Sequence, residues 1–166
     1  MSAATIRLAA PRDLPGIVAI YNQAVAAGAT ADTAPVSVAS REAWFREHAP
    51  GRYPLLVAER GGALAGWASL SPHRPGRHAT RRAAEVSYYV DVGHRRAGVG
   101  RALLRAALAR CPGLGIDVVF AIVLGDNAAS LGLLEAEGFA RWGVLPDAAD
   151  FDGRRVDHVY CGRRLP

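Results

Sequence analysis

Apolar side chains recur along this chain with two periods, and each period predicts a different kind of element. A period of two over residues 86–90 sets Val86, Tyr88 and Val90 on one face of a strand. A period of three to four over residues 103–108 gives the apolar stripe of an amphipathic helix. Residues 95–100 between them form a glycine-containing turn. The segment therefore predicts a strand, a tight turn and a helix in succession.

The same periods, with the turn residues that interrupt them, predict the other elements. Helices are expected from Asp13 to Gly28, from Ser40 to His48 and from Asn127 to Glu137. Strands are expected at 5–9, 55–58, 64–70, 118–123, 139–144 and 156–161, the last two separated by a long loop. The resulting order β-α-α-β-β-β-α-β-α-β-β predicts an α/β fold with one central mixed sheet, in a single domain over 1–166.

Composition narrows the class of protein. A hydrophobic fraction of 51% with 21% charged residues is typical of a soluble globular domain. No apolar run approaches the roughly 20 residues of a membrane span, and the N-terminal residues lack a signal-peptide pattern. Cys111 and Cys161 match no metal or redox spacing. We therefore expect a cytoplasmic protein with no metal and no membrane partner.

The net charge of +5 and the pI of about 9.9 raise the question of nucleic acid. The chain has no lysine, and its arginines concentrate in two short stretches, 73–82 and 94–105. Two local clusters suit small anionic ligands better than a continuous stripe along a duplex. Only the pI favours nucleic acid, so it is not the expected partner.

The turn at 95–100 has the composition of a phosphate-binding helix start. The first amides of a helix are unpaired and lie at the positive end of its dipole, so they suit a pyrophosphate, and Arg96 and Arg101 flank them. A P-loop is excluded because lysine is absent, and a Rossmann fingerprint because Leu103 replaces its third glycine. The alternative is an ordinary strand-to-helix turn in which glycine gives backbone freedom.

The motif that remains, R-x-x-G-x-G after a strand, resembles the acyl-CoA pyrophosphate loop of the GCN5-related N-acetyltransferases (GNAT). Ordered matches extend the resemblance over nearly the whole chain, to the phosphinothricin and methionine sulfoximine acetyltransferase branch. They comprise 6–7, 13–15, 20–25, 66–69, Arg74, 85–90, 125–130, 137–139 and 153–157. The resemblance implies a GNAT-type domain whose twisted sheet is mostly antiparallel and flanked by helices.

The resemblance also implies acetyl-CoA as co-substrate. Backbone groups of one strand would pair with the pantetheine amides, and one N–H there would stabilise the thioester oxygen. Asn127 and Ser130 have a simpler role available as helix caps. The implied cofactor-binding residues are Tyr88, Tyr89, Val90, Arg96, Ala97, Gly98, Val99, Gly100, Arg101, Asn127 and Ser130.

Glu85 is the candidate catalytic base. Acetyl transfer needs a neutral amine, and an α-amino group has a pKa of about 8, so a nearby carboxylate that removes its proton is useful. Glu85 matches the glutamate to which the resembled branch assigns this role. The alternatives are a solvated carboxylate at a strand end, or one paired with Arg81 or Arg82.

Three arginines are candidates for binding an anionic acceptor. Arg74 and Arg81 match arginines near the substrate's anionic group in the resembled enzymes, and Arg82 is a substitute for either. A guanidinium group binds carboxylate or phosphinate in bidentate fashion. The alternative is a basic loop that is merely solvated.

Two departures from the family pattern concern the reaction itself. The resembled enzymes carry Tyr or His where this chain has Leu134, which cannot protonate the leaving thiolate. Either another group, such as Tyr160, does so, or the thiolate leaves unassisted. The loop that borders the substrate in the family lacks its usual aromatic residue and glutamate, since this chain has Ala31-Asp32-Thr33-Ala34 there.

The leading hypothesis is an acetyl-CoA-dependent N-acetyltransferase acting on the amine of a small amino acid or analogue, of the phosphinothricin and methionine sulfoximine kind. The family implies a homodimer. A peptide N-terminus or a polyamine is an alternative acceptor, although paired arginines argue against a polyamine. A non-catalytic acyl-CoA-binding module is the alternative of a different class, motivated by Leu134.

Overall fold

A single seven-stranded sheet is the centre of the computed structural model, which describes residues 4–166. Residues 1–3 lie outside the described residues. They belong to the N-terminal segment that is predicted to lack a signal peptide. The strands are β1 (Thr5–Leu8), β2 (Leu55–Arg60), β3 (Ala63–Pro72), β4 (Ala83–Val90), β5 (Val118–Leu124), β6 (Ala140–Phe151) and β7 (Arg154–Arg164). The helices are α1 (Leu14–Ala26), α2 (Val38–Glu47), α3 (Val99–Arg110) and α4 (Ala128–Ala136).

The strand order is β1-β2-β3-β4-β5-β7-β6, and only the central pair, β4 and β5, is parallel. This confirms the predicted mixed, mostly antiparallel sheet. One connection differs from the prediction: β6 and β7 meet in a tight turn at Asp152 and Gly153, whose φ angles are 52° and 95°. The strand pairing is irregular between Leu145 and Ala149, which breaks the alternation of apolar and polar residues. The sequence therefore predicts a long loop where the structure has a continuous strand.

The two faces of β4 belong to different layers of the fold. Ala84 and Val86 are fully buried in the main core, against α3. Tyr89 lies on the other face and packs against Trp67 and α1. Because side chains alternate along a strand, Glu85 and Ser87 share the α1 side with Tyr89.

The two central strands separate partway along the sheet. β4 pairs with β5 at three positions only, and the last pair is Glu85 with Phe120. Beyond it, β4 continues to Val90 beside β3, while β5 continues to Leu124 beside β7. The facing edges of residues 86–90 and 121–124 are therefore not paired with each other. This separation opens a gap in the middle of the sheet.

A buried carboxylate joins the helices on either side of that gap. Glu137 follows α4, and its side chain is 5% exposed. Its two oxygens both accept from Arg105, Oε2 from Nε at 2.7 Å and Oε1 from Nη2 at 3.0 Å. Arg101 Nε forms an ion pair with Oε1 at 3.0 Å. Arg163 donates to the Glu137 carbonyl at 2.6 Å. The hydrogen bond from Arg105 is the main reason that the pKa of this carboxyl is lowered, so it is held as an anion.

We expect Glu137→Gln to destabilise the fold by about 1–2 kcal/mol at neutral pH, because the hydrogen bonds from arginine lose their charge assistance. The loss is limited because the guanidinium groups are half-exposed and water screens their charge. A carboxyl with a lowered pKa contributes stability above its unfolded pKa of about 4.3 and loses it as the pH falls through the folded value. Thermal unfolding of the two proteins should therefore converge in acid. The exposed Glu135 on α4 gives the control Glu135→Gln, and equal melting of all three proteins at pH 7 would contradict the account.

Candidate active site

The gap between β4 and β5 is the entrance to a cleft of about 1230 Å³. Its walls are the unpaired stretches 86–90 and 121–124, with the first turns of α3 and α4 at its sides. Every predicted cofactor-binding residue lines it except Ala97, which packs against the main core. The cleft can hold a long ligand in extended form along a strand edge.

Unpaired backbone amides line one end of this cleft. Gly98 is the N-cap of α3, and its carbonyl accepts a hydrogen bond of 3.0 Å from the Ala102 amide. The amides of residues 99–101 therefore precede the helical ladder, at the positive end of the dipole. Arg96 and Gly98 have φ angles of 61° and 79°, a conformation that glycine adopts without strain. This end of the cleft suits a phosphate group.

A second glycine of the turn is held by close neighbours. A Cβ on Gly100 would lie 3.3 Å from Leu133 Cδ2 and 3.4 Å from Val90 Cγ2. Larger side chains at this position would press on the cleft wall from β4 and α4. Arg101, at the same helix start, is paired with Glu137, which limits its freedom to reach a ligand.

The helix caps of α4 lie on the opposite side of the cleft. The Asn127 side chain accepts from the Ser130 amide at 3.1 Å, so its capping role is present. The Ser130 hydroxyl lies 3.1 Å from that of Tyr88. Burial raises the pKa of Tyr88 to about 12, so this hydroxyl stays protonated.

A smaller pocket of about 160 Å³ lies on the α1 side of the sheet. Its walls are largely aromatic, and Trp67 is central among them, with ring centroids 4.7 Å from Tyr89 and 5.6 Å from Trp44. The Trp67 indole donates to the Ile17 carbonyl at 3.0 Å, which fixes the ring. The other residues that line this pocket are Ile17, Val18, Tyr21, Val36, Arg41, Ser69, Ser71, Glu85 and Ser87.

The pocket and the cleft share three lining residues: Glu85, Ser87 and Tyr89. Glu85 is also the last residue of β4 that pairs with β5. Desolvation raises the pKa of its carboxyl above the ordinary value, and a hydrogen bond with Ser87 partly offsets this. A ligand in the cleft and a second ligand in the pocket would therefore meet beside a carboxylate with increased basicity.

Glu85 makes no ion pair within the described part of the chain. Arg82 is instead paired with Asp117, to which its Nε donates at 2.9 Å. Arg81 donates to the His78 carbonyl at 3.3 Å. The alternative of a structural pair with either arginine is therefore not what the fold forms.

The three predicted acceptor arginines are exposed on the loop before β4, and none lines the small pocket. The guanidinium group that does line it is Arg41, which sequence reasoning missed. Arg41 occupies an ordinary position on α2, and only the packing of α1 against α2 brings it beside Tyr21.

The two positions considered for thiolate protonation both lie away from the cleft lining. Leu134 is fully buried in the main core. Tyr160 stacks near Phe120, with ring centroids 6.4 Å apart. In the loop that departs from the family pattern, Asp32 accepts a hydrogen bond of 2.5 Å from the Tyr21 hydroxyl.

The described residues, 4–166, contain neither a cluster of metal ligands nor a membrane-spanning helix. No group of three or more His, Cys, Asp and Glu side chains in this range is arranged to hold a metal ion. No helix in it has both the length and the apolar character to cross a membrane.

The acetyltransferase (GNAT) family model matches residues 17–139 of this chain. The Bacillus subtilis protein YwnH is 46% identical over 163 residues, covering 97% of this chain and 99% of its own. The L-methionine sulfoximine/L-methionine sulfone acetyltransferase of Pseudomonas aeruginosa PAO1 is 40% identical, covering 98% of this chain and 95% of its own. These matches confirm the resemblance drawn from the motifs.

The fold leads to the same family. The crystal structure of a GNAT phosphinothricin acetyltransferase from Sinorhizobium meliloti, in complex with acetyl-CoA, superposes with a TM-score of 0.92. It is 34% identical, and the match covers 99% of this chain and 89% of that one. The chain belongs to the GNAT acetyltransferase family. It is an N-acetyltransferase, as the sequence predicts.

Proposed function

We propose that this enzyme transfers the acetyl group of acetyl-CoA to the amine of a small amino acid or analogue that carries an anionic group. The relatives named for phosphinothricin and methionine sulfoximine support this class of acceptor. The observation that carries the proposal is the meeting of cleft and pocket at Glu85, Ser87 and Tyr89. Donor and acceptor can then be bound at once on the two sides of β4.

The proposed donor site is the cleft. Pantetheine amides would pair with the free edge of β4 at Tyr88, Tyr89 and Val90, as an added strand does. The pyrophosphate would lie on the amides that start α3, near Arg96. The acetyl-CoA in the S. meliloti relative supports this ligand for the cleft.

In the proposed reaction, Glu85 removes a proton from the acceptor's ammonium group, and the free amine attacks the thioester carbonyl carbon. A β4 backbone N–H stabilises the charge that develops on the carbonyl oxygen. The N–C bond forms, the C–S bond breaks, and the thiolate of CoA leaves. The attacking nitrogen then carries one proton more than the amide product and releases it to water. A thiol of this type has a pKa of about 8.5, so the thiolate takes its proton from water without help from Leu134.

The proposed acceptor site is the small pocket. A volume of about 160 Å³ resembles the cavity of roughly 150 Å³ that accommodates a benzene ring, so it suits a small acceptor rather than a folded peptide end. Arg74 and Arg81 on the loop outside the pocket would receive an anionic group that extends from the acceptor, such as a phosphinate. Arg82 is the weaker candidate because Asp117 already holds it.

We also propose a cytoplasmic homodimer. Trp142 and Leu145 on β6, at the edge of the sheet, are 48% and 49% exposed, and a second copy would cover them. Cys111 and Cys161 are free and buried, which fits a reducing compartment. Sedimentation velocity would measure the mass, and a monomer at micromolar concentration would contradict the dimer.

We expect Gly100→Val to weaken acetyl-CoA binding at least tenfold, because the added atoms push on Val90 and Leu133 and narrow the cleft. Isothermal titration gives the Kd, and circular dichroism checks that the variant is folded. Gly113→Val is the control, since a Cβ there meets no atom within 4 Å and the residue lies outside the cleft. Wild-type affinity in a folded Gly100→Val protein would refute the proposed donor site.

We expect Glu85→Gln to lower kcat about a hundredfold or more near pH 7, with little change in acetyl-CoA binding, since loss of a general base has effects of this size. Wild-type kcat/KM should fall as the pH drops through the raised pKa of Glu85, because the protonated carboxyl cannot accept the amine's proton. The variant should lose this dependence and recover partly at high pH, where free amine is abundant. An unchanged rate would make Glu85 a structural residue.

The acceptor class is tested by thiol release with a panel of amino acids, sulfoximines, phosphinates and simple amines. With phosphinothricin, we expect Arg74→Gln or Arg81→Gln to raise the acceptor KM about tenfold to a hundredfold and to leave the KM for acetyl-CoA unchanged. Lysine should restore the KM incompletely, because it lacks the planar fork. Arg77→Gln, on the same exposed loop, is the control. Preference for a simple amine would refute an anionic acceptor.

A further inference from the structure

Arg41 is the cationic side chain that lines the acceptor pocket, and the proposed reaction has so far given it no role. It lies on α2, and its side chain is 27% exposed. It lines the same small pocket as Glu85. Within residues 4–166, these two are the charged residues that line this pocket.

The guanidinium carbon of Arg41 lies over two aromatic rings of the pocket wall. It lies 4.9 Å from the centroid of the Tyr21 ring and 5.8 Å from that of Trp44. Its one hydrogen bond in the described structure runs from Nη2 to Asp32 Oδ2, at 3.2 Å. Asp32 also accepts a hydrogen bond from the Tyr21 hydroxyl, so the negative charge of Asp32 is shared between Tyr21 and Arg41.

This way of holding an arginine leaves most of its donors open. A guanidinium group has five N–H donors, and the attraction between the cation and the ring faces gives none of them an oxygen acceptor. One donor is bonded to Asp32. Other donors of Arg41 are therefore available to an acceptor in the pocket, and a carboxylate is the group that matches the guanidinium fork in bidentate geometry.

The pocket thus carries one cation and one anion, with aromatic walls between them and little volume. A zwitterionic α-amino acid has the complementary pair of charges on neighbouring atoms. We propose that Arg41 binds the α-carboxylate of the acceptor and so directs its α-amine to Glu85. This inference rests on the proposed function and deepens it, since it assigns the α-carboxylate to α2 and leaves Arg74 and Arg81 for a second anionic group.

A purely structural role for Arg41 is the competing account. The ion pair with Asp32 ties α2 to the loop at 29–37, and Asp32 is itself half-exposed. In that case the loss of Arg41 would loosen one wall of the pocket for every acceptor. The two roles differ in whether the effect depends on the acceptor's carboxylate.

The test compares each amino acid with its α-carboxamide, which keeps the amine and lacks the charge. We expect the wild-type enzyme to prefer the acid by about tenfold to a hundredfold in kcat/KM. Arg41→Gln should remove this preference by slowing the acid alone, and Arg41→Lys should restore part of it. Arg46→Gln is the matched control on the same helix, because Arg46 is exposed and faces Glu42 at 3.8 Å. Equal loss for acid and amide in Arg41→Gln would overturn the proposal.

Asp32→Asn separates the two roles further. It breaks the ion pair but keeps the contacts of the guanidinium group with the Tyr21 and Trp44 rings. If Arg41 binds the carboxylate, Asp32→Asn keeps or increases the preference for the acid, since less negative charge lies nearby. If Arg41 only braces the loop, Asp32→Asn reproduces Arg41→Gln and the proposal is wrong.

Binding can be followed without turnover, which separates this inference from the proposed function. Trp44 and Trp67 line the pocket and Trp142 does not, so Trp142→Phe leaves fluorescence that reports on the pocket. The acid should quench this fluorescence with a Kd about tenfold to a hundredfold below that of the amide, and Arg41→Gln should abolish the difference. Acid-selective binding without acetylation would refute the amino-acid reaction and retain the role of Arg41. Equal binding of acid and amide by the wild type would overturn the role of Arg41.

Discussion

The separation of β4 from β5 after the Glu85–Phe120 pair is the constraint on which the rest of the site depends. Up to this pair the two strands satisfy each other's backbone groups, and beyond it each keeps only its outer neighbour. An unpaired strand edge in the middle of a sheet is costly unless something else binds there. The fold therefore contains a free strand edge to which an extended ligand can bind. The separation of the two strands also sets Glu85 at the inner end of this edge.

Burial determines the chemistry on both sides of this edge. Desolvation raises the pKa of Glu85, which makes it a better proton acceptor near neutral pH. It also raises the pKa of Tyr89 to about 12, so the wall shared by cleft and pocket carries no second negative charge from this hydroxyl. The positive groups lie elsewhere, at the start of α3 and on Arg41. Charges of opposite sign are thus separated along the path that joins the two sites.

The sequence was informative about the proposed donor site, because backbone geometry determines the shape of the cleft there. A left-handed position at Gly98 and a crowded one at Gly100 restrict residue type, so the glycine spacing is visible in the chain. The alternation along β4 likewise predicted which residues share a face. These local rules predicted the order of elements and the mixed sheet, and the fold confirms both. The residues that the family resemblance assigned to acetyl-CoA line the cleft except Ala97, and their role in binding stays a prediction.

The proposed acceptor site could not be predicted in the same way, because its pocket is assembled by contacts between distant elements. Arg41 reaches the pocket through the packing of α2 against α1, and Arg82 turns to Asp117, thirty-five residues away. Arg101 looked free for a phosphate, but the pairing with Glu137 appears only when α3 and α4 are side by side. Long-range partners of arginine leave no periodic signal in the sequence.

The central claim is that donor and acceptor occupy the two sides of β4 together, so that the acetyl group passes directly between them. The most direct test is an initial-rate study in which acetyl-CoA and the acceptor are varied together. Double-reciprocal plots should intersect, and intact-mass analysis should find no acetylated protein when the acceptor is omitted. Parallel lines, with an acetylated enzyme that reacts on addition of the acceptor, would contradict the account.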